Sequence, residues 1–321
     1  MATFREVSFT PAEFARLANL EKSQVDQLEK EGMISTIRRR VGNVDRKLIP
    51  LEHVQGYFFG RHGDRIPSKP KHQIQMFYNV KGGTGKSTLT AQYVMQAAMM
   101  GYRVLAIDLD GQGHLSLNLD VLESHELPTI YDVLINDLPI KQTIVNVAPG
   151  LDLIPANLGL CTIEIPLNQK PRREYRLSEA IQSIAHEYDL IVADTNPAAS
   201  ILNSSMLVAA SLVNVVCATN PLSFHGMSLV MATIEEMERE FRRELEVKII
   251  PNMYDNREVI SQEVLGELKS QFGDFCTQAV VSRSADLNEA TKRRTTVWEV
   301  NSRGTGAQDI GSLTNELLAL S

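Results

Sequence analysis

The sequence predicts an α/β fold in which a mostly parallel, doubly wound sheet follows a small N-terminal α-helical unit. From Gln73 onward, short apolar segments typical of buried strands alternate with helical patterns. Such alternation favours a parallel sheet with helices on both faces. A glycine-rich octet lies between the first of these strands and the helix after it. Upstream, two helix-start signals lie close together, which is typical of two short helices joined by a turn.

Length and composition indicate two units. The chain has 321 residues, of which 43% are hydrophobic, enough for one large domain and one small domain. We expect units at 1–68 and 69–321, because the polar segment GRHGDRIPSKPK at 60–71 is typical of a linker. No apolar run is long enough to span a membrane, and the N-terminus has no signal-peptide core. We therefore expect a cytoplasmic protein.

Cysteine spacing and charge indicate the compartment of the protein and the kind of partner that it binds. Cys161, Cys217 and Cys276 are far apart, so we expect buried thiols in a reducing compartment rather than disulfides or a metal site. The net charge is −7, but residues 1–72 hold 13 Lys and Arg against 9 Asp and Glu, hence +4, which leaves −11 for the rest. A basic head on an acidic body indicates that the head contacts a polyanion.

The predicted elements of the body follow in order. The strand IQMFYNV precedes a helix from Lys86 to Met100, and the strand YRVLAID comes next. The later predicted strands are LDLIPA, YDLIVAD, LVNVVCAT and VKIIPNM. Ligand sites in open α/β sheets lie at the carboxyl ends of the strands. The polar residues that follow these strands are therefore the candidate site.

The octet KGGTGKST at 81–88 is predicted to bind phosphates. Glycines let successive N–H groups point at phosphate oxygens, and the following helix adds its positive end. Lys86 supplies a charge for the outer phosphates, and the Ser87 hydroxyl binds Mg²⁺. The strict GxxxxGK[ST] pattern fails, because Val80 stands where its first glycine belongs. The predicted nucleotide contacts are Lys81, Gly82, Gly83, Thr84, Gly85, Lys86, Ser87 and Thr88.

With its additional lysine, the octet resembles the deviant phosphate loop of the ParA/MinD family of ATPases. In that family the early lysine, which Lys81 matches, reaches across a dimer to the partner's nucleotide and acts like an arginine finger. The resemblance implies ATP and Mg²⁺ as cofactors and an ATP-bound homodimer as the active form. It also implies weak ATP hydrolysis, stimulated by DNA and a partner, with catalytic roles for Lys81, Lys86 and Asp110.

The segment VLAIDLDGQGHLS at 104–116 resembles the second motif of the same family. This match implies that Asp110 positions the attacking water and that Asp108 supports Mg²⁺ from the strand end. Gly111 stands where the family usually has proline, and His114 where it has asparagine. The glycine puts the rigidity of this loop in question, and we interpret His114 as an exposed loop histidine.

Three further segments continue the resemblance, which covers about residues 73–320. YDLIVADTNPA at 188–198 resembles the Walker B region and implies a water-mediated Mg²⁺ contact from Asp194, although Asn196 replaces a usual proline. KIIPNMYDNR at 248–257 resembles the segment beside the adenine, which implies adenine contacts from Asn252 and Met253. VSRSADLNEA at 281–290 resembles a later family motif.

The N-terminal head carries the helix signals. Thr10 to Glu13 form a capping box with proline at the first helical position, and a second capping signature begins at Ser23. A Gly42-Asn43 turn is flanked by basic residues, and Leu51 to Phe58 is a predicted third helix. The pattern resembles the MerR-type winged helix-turn-helix. The implied DNA contacts are base reading by Gln24 and Gln27 and phosphate contacts by Arg38, Arg39, Arg40, Arg46 and Lys47.

A protein-interaction head with a solvated basic face is the alternative to a DNA-binding head.

The body has two basic clusters. Arg239, Arg242 and Arg243 lie on a predicted helix, and Lys292, Arg293 and Arg294 follow the later family motif. The resemblance implies that such residues bind DNA without sequence preference in the ATP dimer, whereas a charge run alone is typical of a solvated face.

The functional hypothesis is an ATP-dependent DNA partition ATPase that is nucleoid-associated, works with a ParB-like centromere-binding protein, and autoregulates its operon through the head. One alternative is a ParA-like positioner of a protein cargo. Another is an ATP-gated transcriptional repressor. A membrane-bound relative is disfavoured because the tail AQDIGSLTNELLALS has no Lys or Arg. An iron–sulfur relative is disfavoured because the cysteines are not paired.

Overall fold

The computed structural model describes most of the chain: Phe4 and residues 7–18, 20–41, 44–58, 73–122, 124–198 and 200–319. The predicted linker at 60–71 and the Gly42-Asn43 turn lie outside the described residues. The unit boundary near residue 68 lies there too and stays a prediction.

The head combines short helices with a small antiparallel sheet. Its elements are β1 (Ser8–Phe9), α1 (Pro11–Leu17), α2 (Lys22–Lys30), β2 (Ile37–Val41), β3 (Val44–Pro50) and α3 (Leu51–Phe58). The sheet order is β1-β3-β2, so β1 adds a strand that the sequence analysis missed. The predicted third helix is confirmed at Leu51–Phe58.

One of the two predicted helix starts in the head is confirmed. At α1, the Thr10 hydroxyl accepts the Glu13 N–H at 3.3 Å, and the Glu13 carboxylate accepts the Thr10 N–H at 2.7 Å. The start predicted at Ser23 is wrong. Helix α2 begins at Lys22 with Glu21 as its N-cap, because the Gln24 side chain accepts the Glu21 N–H at 2.8 Å.

The body alternates strands and helices. Its first elements are β4 (Ile74–Tyr78), α4 (Lys86–Met99), β5 (Val104–Leu109), α5 (His114–Asn118), α6 (Ile130–Asn136), β6 (Val145–Ala148), β7 (Leu151–Ile154), α7 (Glu164–Asn168) and α8 (Arg173–Ile184). The later ones are β8 (Leu190–Thr195), α9 (Ile201–Ala209), β9 (Leu212–Ala218), α10 (Pro221–His225), α11 (Met227–Phe241), β10 (Glu246–Asn252), α12 (Val259–Phe272), α13 (Ala285–Arg293), α14 (Val297–Asn301) and α15 (Thr305–Ala319). Short 3-10 turns occur at Ser124–Glu126, Ile140–Thr143, Leu158–Thr162 and Ala185–Glu187.

The body is built on a seven-stranded sheet with the order β10-β9-β4-β8-β5-β7-β6. All its neighbouring strands run parallel except β6, which pairs antiparallel with β7. Helices α4 and α15 join the hydrophobic cluster on one face, and α8, α9 and α11 join the cluster on the other. The predicted mostly parallel, doubly covered sheet is confirmed.

The head packs on the body at the end of α4. Gln55, on α3, is only 3% exposed, and its Nε2 donates to Ala98 O at 3.1 Å and to Pro149 O. On α1, Arg16 donates to the Ser302 hydroxyl at 2.8 Å. Because buried amides need hydrogen-bond partners, the Gln55 contacts hold the described part of the head against α4 and the β6–β7 turn, and Arg16 adds a contact at the end of α14. Within the described residues, no helix has the length and apolarity needed to cross a membrane.

Candidate nucleotide site and basic surfaces

The phosphate loop connects β4 to α4 through two glycines in the left-handed region. Gly83 has φ 76° and Gly85 has φ 88°, which only glycine adopts without strain. A Cβ at Gly82 or Gly83 would meet no atom within 4 Å. These two glycines therefore border open space, as a loop that receives phosphates requires.

A groove of about 380 Å³ lies over this loop. Its lining residues are Gly82, Gly83, Thr84, Gly85, Lys86, Ser87, Thr88, Asp110, Gln112, His114, Asn118, Pro197 and Thr291. Most of the predicted contacts are thus brought together. Lys81 is absent from this lining, as are Asn252 and Met253. Gln112, Asn118, Pro197 and Thr291 line the groove without having been predicted. Gln112 and Pro197 lie within quoted motifs, whereas nothing in the local pattern marks Asn118 or Thr291 as a groove residue.

Asn252 lies behind the loop. Its side chain is 4% exposed, and its Nδ2 donates to Thr84 O at 2.7 Å. A Cβ at Gly85 would come within 2.4 Å of the same Nδ2. Asn252 therefore braces the phosphate loop from β10, and an adenine contact from Asn252 or Met253 stays a prediction.

Two carboxylates meet at the carboxyl ends of adjacent strands. Asp108 on β5 pairs in register with Asp194 on β8, and both are fully buried. Burial, with repulsion from Asp194, raises the pKa of Asp108 to about 7. Burial also raises the pKa of Asp194 to about 6, against the lowering effect of the Ser87 hydroxyl and Lys86. This buried pair therefore resists carrying two negative charges.

The residues around Asp194 fit a magnesium ion. Its Oδ1 lies 3.2 Å from the Thr90 hydroxyl, and its Oδ2 is buried with no hydrogen-bond partner among the described residues. The Ser87 hydroxyl also lies close enough to this carboxylate to lower its pKa. A carboxylate oxygen and a hydroxyl are the hard ligands that Mg²⁺ prefers, so Ser87 and Asp194 would hold the ion.

Asp108 is engaged differently. Its Oδ2 accepts the Ser116 N–H and hydroxyl, each at 2.8 Å, and its Oδ1 accepts the Asp110 N–H at 3.1 Å. These bonds anchor the segment that carries Asp110 to the end of β5. The predicted Mg²⁺ role of Asp108 stays a prediction, whereas its positioning of Asp110 follows from the contacts.

Lys86 lies beside the same carboxylates and is 7% exposed. Burial lowers the pKa of its ammonium, while the charges of Asp194 and Asp110 raise it. The ammonium is thus held among groove-lining groups, where it can compensate phosphate charge. His114 is exposed, as expected, but it begins α5 and lines the groove.

The raised pKa values predict how the metal-free protein responds to pH. Between the ordinary aspartate value of about 4 and about pH 7, the folded state binds more protons at this pair than the unfolded state. Stability contributed by the pair is therefore present below the unfolded pKa and is lost as the pH rises. In urea unfolding with a chelator present, we expect Asp194→Asn to show a weaker loss of unfolding free energy over this range than the parent. Equal pH slopes would contradict the prediction.

Gly111 occupies the position where the family usually has proline, and its packing explains the difference. A Cβ there would come within 2.4 Å of the Cys161 Sγ and 3.1 Å of the Cys161 N. Cys161 is exposed, whereas Cys217 and Cys276 are buried. The expectation of three buried thiols is therefore wrong for Cys161, whose short 3-10 turn presses its sulfur against the backbone of the Asp110 loop.

This contact predicts a stability effect. Gly111→Ala is expected to lower the unfolding free energy by about 1–3 kcal/mol, the usual cost of overpacking. Adding Cys161→Ala is expected to restore part of the loss, because the sulfur is the nearest atom. Gly266→Ala is the control, since its Cβ would meet nothing within 4 Å. The explanation fails if Gly111→Ala unfolds in urea like the parent.

The basic residues of the head lie on the β2–β3 hairpin. Arg38, Arg39, Arg40 and Arg46 are exposed, and Arg39 pairs in register with Arg46. Like charges directly opposite across two strands are destabilising, so this hairpin favours an anion between them. Lys47 instead forms an ion pair with Glu29.

The two predicted base readers, Gln24 and Gln27, are exposed on α2. However, both amides already have partners within their own segment. Gln24 accepts the Glu21 N–H, and the Gln27 Nε2 donates to Glu31 at 2.7 Å. Base reading by these residues stays a prediction, and it would require those hydrogen bonds to open.

The basic clusters of the body are less available than the sequence implied. The prediction that Arg242 and Arg243 lie on a helix is wrong, since α11 ends at Phe241 and Arg242 has φ 50°. Arg243 donates to Ala210 O at 3.1 Å, which holds it against the end of α9. Arg239 remains on α11 and is exposed.

In the cluster at 292–294, two of the three basic residues form ion pairs. Arg293 pairs with Glu299 at 3.3 Å, and Arg294 pairs with Asp120 at 3.2 Å. Lys292 is exposed and has no ion pair with any residue that the structure describes. Lys292 is therefore the member of this cluster whose charge is left unpaired within the described residues, and a DNA contact from it stays a prediction.

Comparison with known proteins identifies the family. A family model described as an AAA domain matches residues 72–247. Cell division protein PomZ of Myxococcus xanthus is 31% identical over 257 residues, which cover 79% of this chain and 81% of that protein. Chromosome partitioning protein ParA of Caulobacter vibrioides is 32% identical over 245 residues, which cover 75% and 92%.

Solved structures share the fold of the body. Cobyrinic acid a,c-diamide synthase from Mycobacterium smegmatis, with an ATP analogue and magnesium bound, superposes with a TM-score of 0.63 at 27% identity, covering 69% of this chain and 91% of that one. The ATP analogue and magnesium bound by that protein are the cofactors that the sequence predicts for this chain. With its deviant phosphate loop on a mostly parallel α/β sheet, the chain belongs to the ParA/MinD family of P-loop partition ATPases.

Proposed function

We propose that the chain is an ATP-switched DNA partition ATPase that acts as a face-to-face dimer. The position of Lys81 carries the proposal. Gly82 to Thr88 line the nucleotide groove of their own chain, but Lys81 does not. Lys81 is half-buried and has no ion pair among the described residues. A lysine that is next to the loop but does not line the groove of its own chain could instead contact a nucleotide that is bound by a second subunit.

The edge of the sheet that carries the phosphate loop also has the apolar surface that a dimer would bury. The large apolar side chains exposed after β7, β9 and β10 include Leu158, Ile165, Leu222, Val259 and Ile260. Parallel strands end at one edge of the sheet, so these side chains share it with the loop. Such apolar surface is typical of an interaction face.

In the proposed cycle, Mg²⁺ neutralises charge on the phosphates when it is bound. Lys86 and the loop N–H groups hold the phosphates, while Asp110 orients the attacking water. Lys81 of the second subunit stabilises charge on the transferred phosphoryl group. The closed dimer binds nucleoid DNA without sequence preference in the cytoplasm. A ParB-like centromere-binding protein stimulates the otherwise weak hydrolysis, and the dimer then releases DNA.

The head adds a second activity to this proposal. As a winged helix-turn-helix, it would place the Arg39–Arg46 pair of its hairpin against DNA phosphates and autoregulate the operon. An ATP-gated repressor is one alternative, in which this hairpin surface of the head binds DNA and the body does not. A positioner of a protein cargo is the other alternative, favoured by the likeness to a protein named for cell division.

The experiment measures binding of the full chain to random-sequence duplex DNA with ATP, with ADP and without nucleotide, over a salt series. We expect binding that requires ATP and weakens steeply with salt. Six to ten phosphate contacts would cost about 10³–10⁵ in affinity between about 50 and 200 mM salt. Lys292→Ala is expected to lower the salt slope by about one. The matched control is Arg293→Ala, whose charge already pairs with Glu299.

The outcomes separate the alternatives. Binding could instead be independent of nucleotide and disappear in an Arg39→Ala, Arg46→Ala variant. The body would then not bind DNA, and the ATP-gated repressor would be the favoured function. If ATP-dependent binding survives that variant, the body binds DNA without the Arg39–Arg46 surface of the head. A protein-cargo positioner would bind DNA in the same way, but its hydrolysis would respond to a cargo protein instead of a centromere complex.

A further inference from the structure

A second groove of about 430 Å³ lies between α8, α9 and α11. None of the predicted site residues line it. Among the described residues, its charged lining consists of Glu174, Glu236 and Glu240, with no lysine, arginine or histidine. Glu174 pairs with Arg173 at 2.7 Å. Glu236 and Glu240 lie one turn apart on α11, are exposed, and have no ion pair or hydrogen bond within the described part of the chain.

A buried acceptor in the same groove also lacks a donor. Asn203 on α9 is 2% exposed, and its Oδ1 has no hydrogen-bond partner within the described residues. The other end of this amide is occupied, because Nδ2 donates to Ala198 O at 2.6 Å and to Asn196 O at 3.0 Å. A buried acceptor without a donor is destabilising, because it has lost its hydrogen bonds to water. The groove therefore offers Oδ1 to a donor that arrives with a ligand.

The remaining walls define the shape of that ligand. Leu207, Met237 and Phe241 supply apolar surface together with Ile201, and Tyr78 adds a second aromatic ring. The hydroxyls of Ser204 and Thr233 also line the groove, but each already donates to a backbone carbonyl of its own segment, and the Ser200 hydroxyl accepts the Asn203 N–H. Carboxylates and an amide oxygen only accept hydrogen bonds, and a primary ammonium has three donors and no acceptor. Aromatic rings attract such cations, and apolar walls suit an aliphatic stem. A bare metal ion would leave those walls unused.

We propose that this groove is a binding site for an alkylammonium group. The ammonium lies between Glu236, Glu240 and the Asn203 Oδ1, and the aliphatic stem lies against Met237 and Phe241. A free polyamine and the lysine side chain of a protein partner both present this chemistry. The site does not depend on the proposed partition activity, because none of its residues belongs to the nucleotide groove.

The site is connected to the nucleotide groove through one loop. Asn203 holds the carbonyls of Asn196 and Ala198, and Pro197 between them lines the nucleotide groove. A ligand that fixes the Asn203 amide therefore also restrains the loop after Asp194. Occupancy of the acidic groove is expected to slow amide hydrogen exchange at Asn196 and Ala198.

The test titrates the full-length protein calorimetrically with cadaverine at low ionic strength and without nucleotide. We expect saturable binding of one equivalent. The double variant Glu236→Gln, Glu240→Gln is expected to bind about tenfold more weakly, given the contribution of exposed ion pairs. Glu235→Gln removes one negative charge from the same helix, but Glu235 does not line the groove, so this variant should bind cadaverine like the parent.

Two further probes distinguish the sources of the ammonium group. Tighter binding of spermidine than of Nα-acetyl-lysine amide assigns the site to a free polyamine, and the reverse order assigns it to a lysine of a protein partner. Either order supports the site when the double variant loses the binding. The proposal is overturned if no probe binds saturably, or if the double variant binds like the Glu235→Gln control. ATP binding, measured separately, reports on the proposed function and should be unchanged in all three proteins.

Discussion

Lys86→Ala is expected to lose ATP binding. The ammonium is almost fully buried, lines the nucleotide groove and is flanked by Asp194 and Asp110. Without it, the phosphates would meet these carboxylates with no intervening positive charge. Truncating one partner of a buried, hydrogen-bonded charge pair costs about 2–5 kcal/mol, or roughly 30- to several thousand-fold in Kd. Equilibrium titration with a fluorescent ATP analogue measures the loss.

Two further variants separate lost binding from lost folding. Lys86→Gln keeps most of the aliphatic stem and removes the charge, so it should also bind weakly while it unfolds close to the parent. Lys81→Ala removes a lysine from the same loop but outside the groove, and it should bind the analogue normally. A folded Lys86→Ala protein with parental affinity would show that the phosphates lie elsewhere.

Sequence patterns predicted the elements whose signals are local. The phosphate loop, its strand and its helix follow from an apolar segment, three glycines and a helical pattern, and α4 begins at Lys86 as expected. Helix α3 matches its predicted range because its buried residues recur at helical spacing, as at Leu51, Val54 and Gln55. Strand β6 was missed because it is short and lies at an edge, half open to solvent, so its sequence is not continuously apolar.

The missed features depend on contacts between distant segments. Arg294 appears free in the sequence, but its partner Asp120 lies 174 residues away. The Asn252 amide is committed to Thr84, 168 residues earlier. Likewise, the glycine at 111 departs from the family pattern because Cys161 occupies the space that a Cβ would need. A sequence motif shows which groups are present, but only the fold shows which of them are already paired.

Lys81→Ala is expected to keep ATP binding and lose stimulated hydrolysis. Its backbone is fixed, since the Lys81 N–H donates to Asn79 Oδ1 at 2.9 Å and the Asn79 Nδ2 donates to Val216 O at 2.8 Å. The side chain is therefore held beside the loop without entering its own groove. An arginine finger supplied in trans contributes about 10³–10⁵ in kcat in related chemistry. Phosphate release in the presence of DNA and the partner measures the loss.

Mixing two inactive proteins tests whether Lys81 acts across the dimer. A Lys81→Ala subunit keeps Asp110, and an Asp110→Ala subunit keeps Lys81, so one site of their heterodimer receives both groups. Equal mixing should restore about a quarter of the parental rate, because half of the dimers are mixed and each has one complete site. If Lys81 acts within its own chain, no site in any mixture holds both groups, and activity stays at the level of the separate variants. A lysine acting within its own chain would give the same losses in the two single variants. Recovery in the mixture is therefore the result that supports a face-to-face dimer.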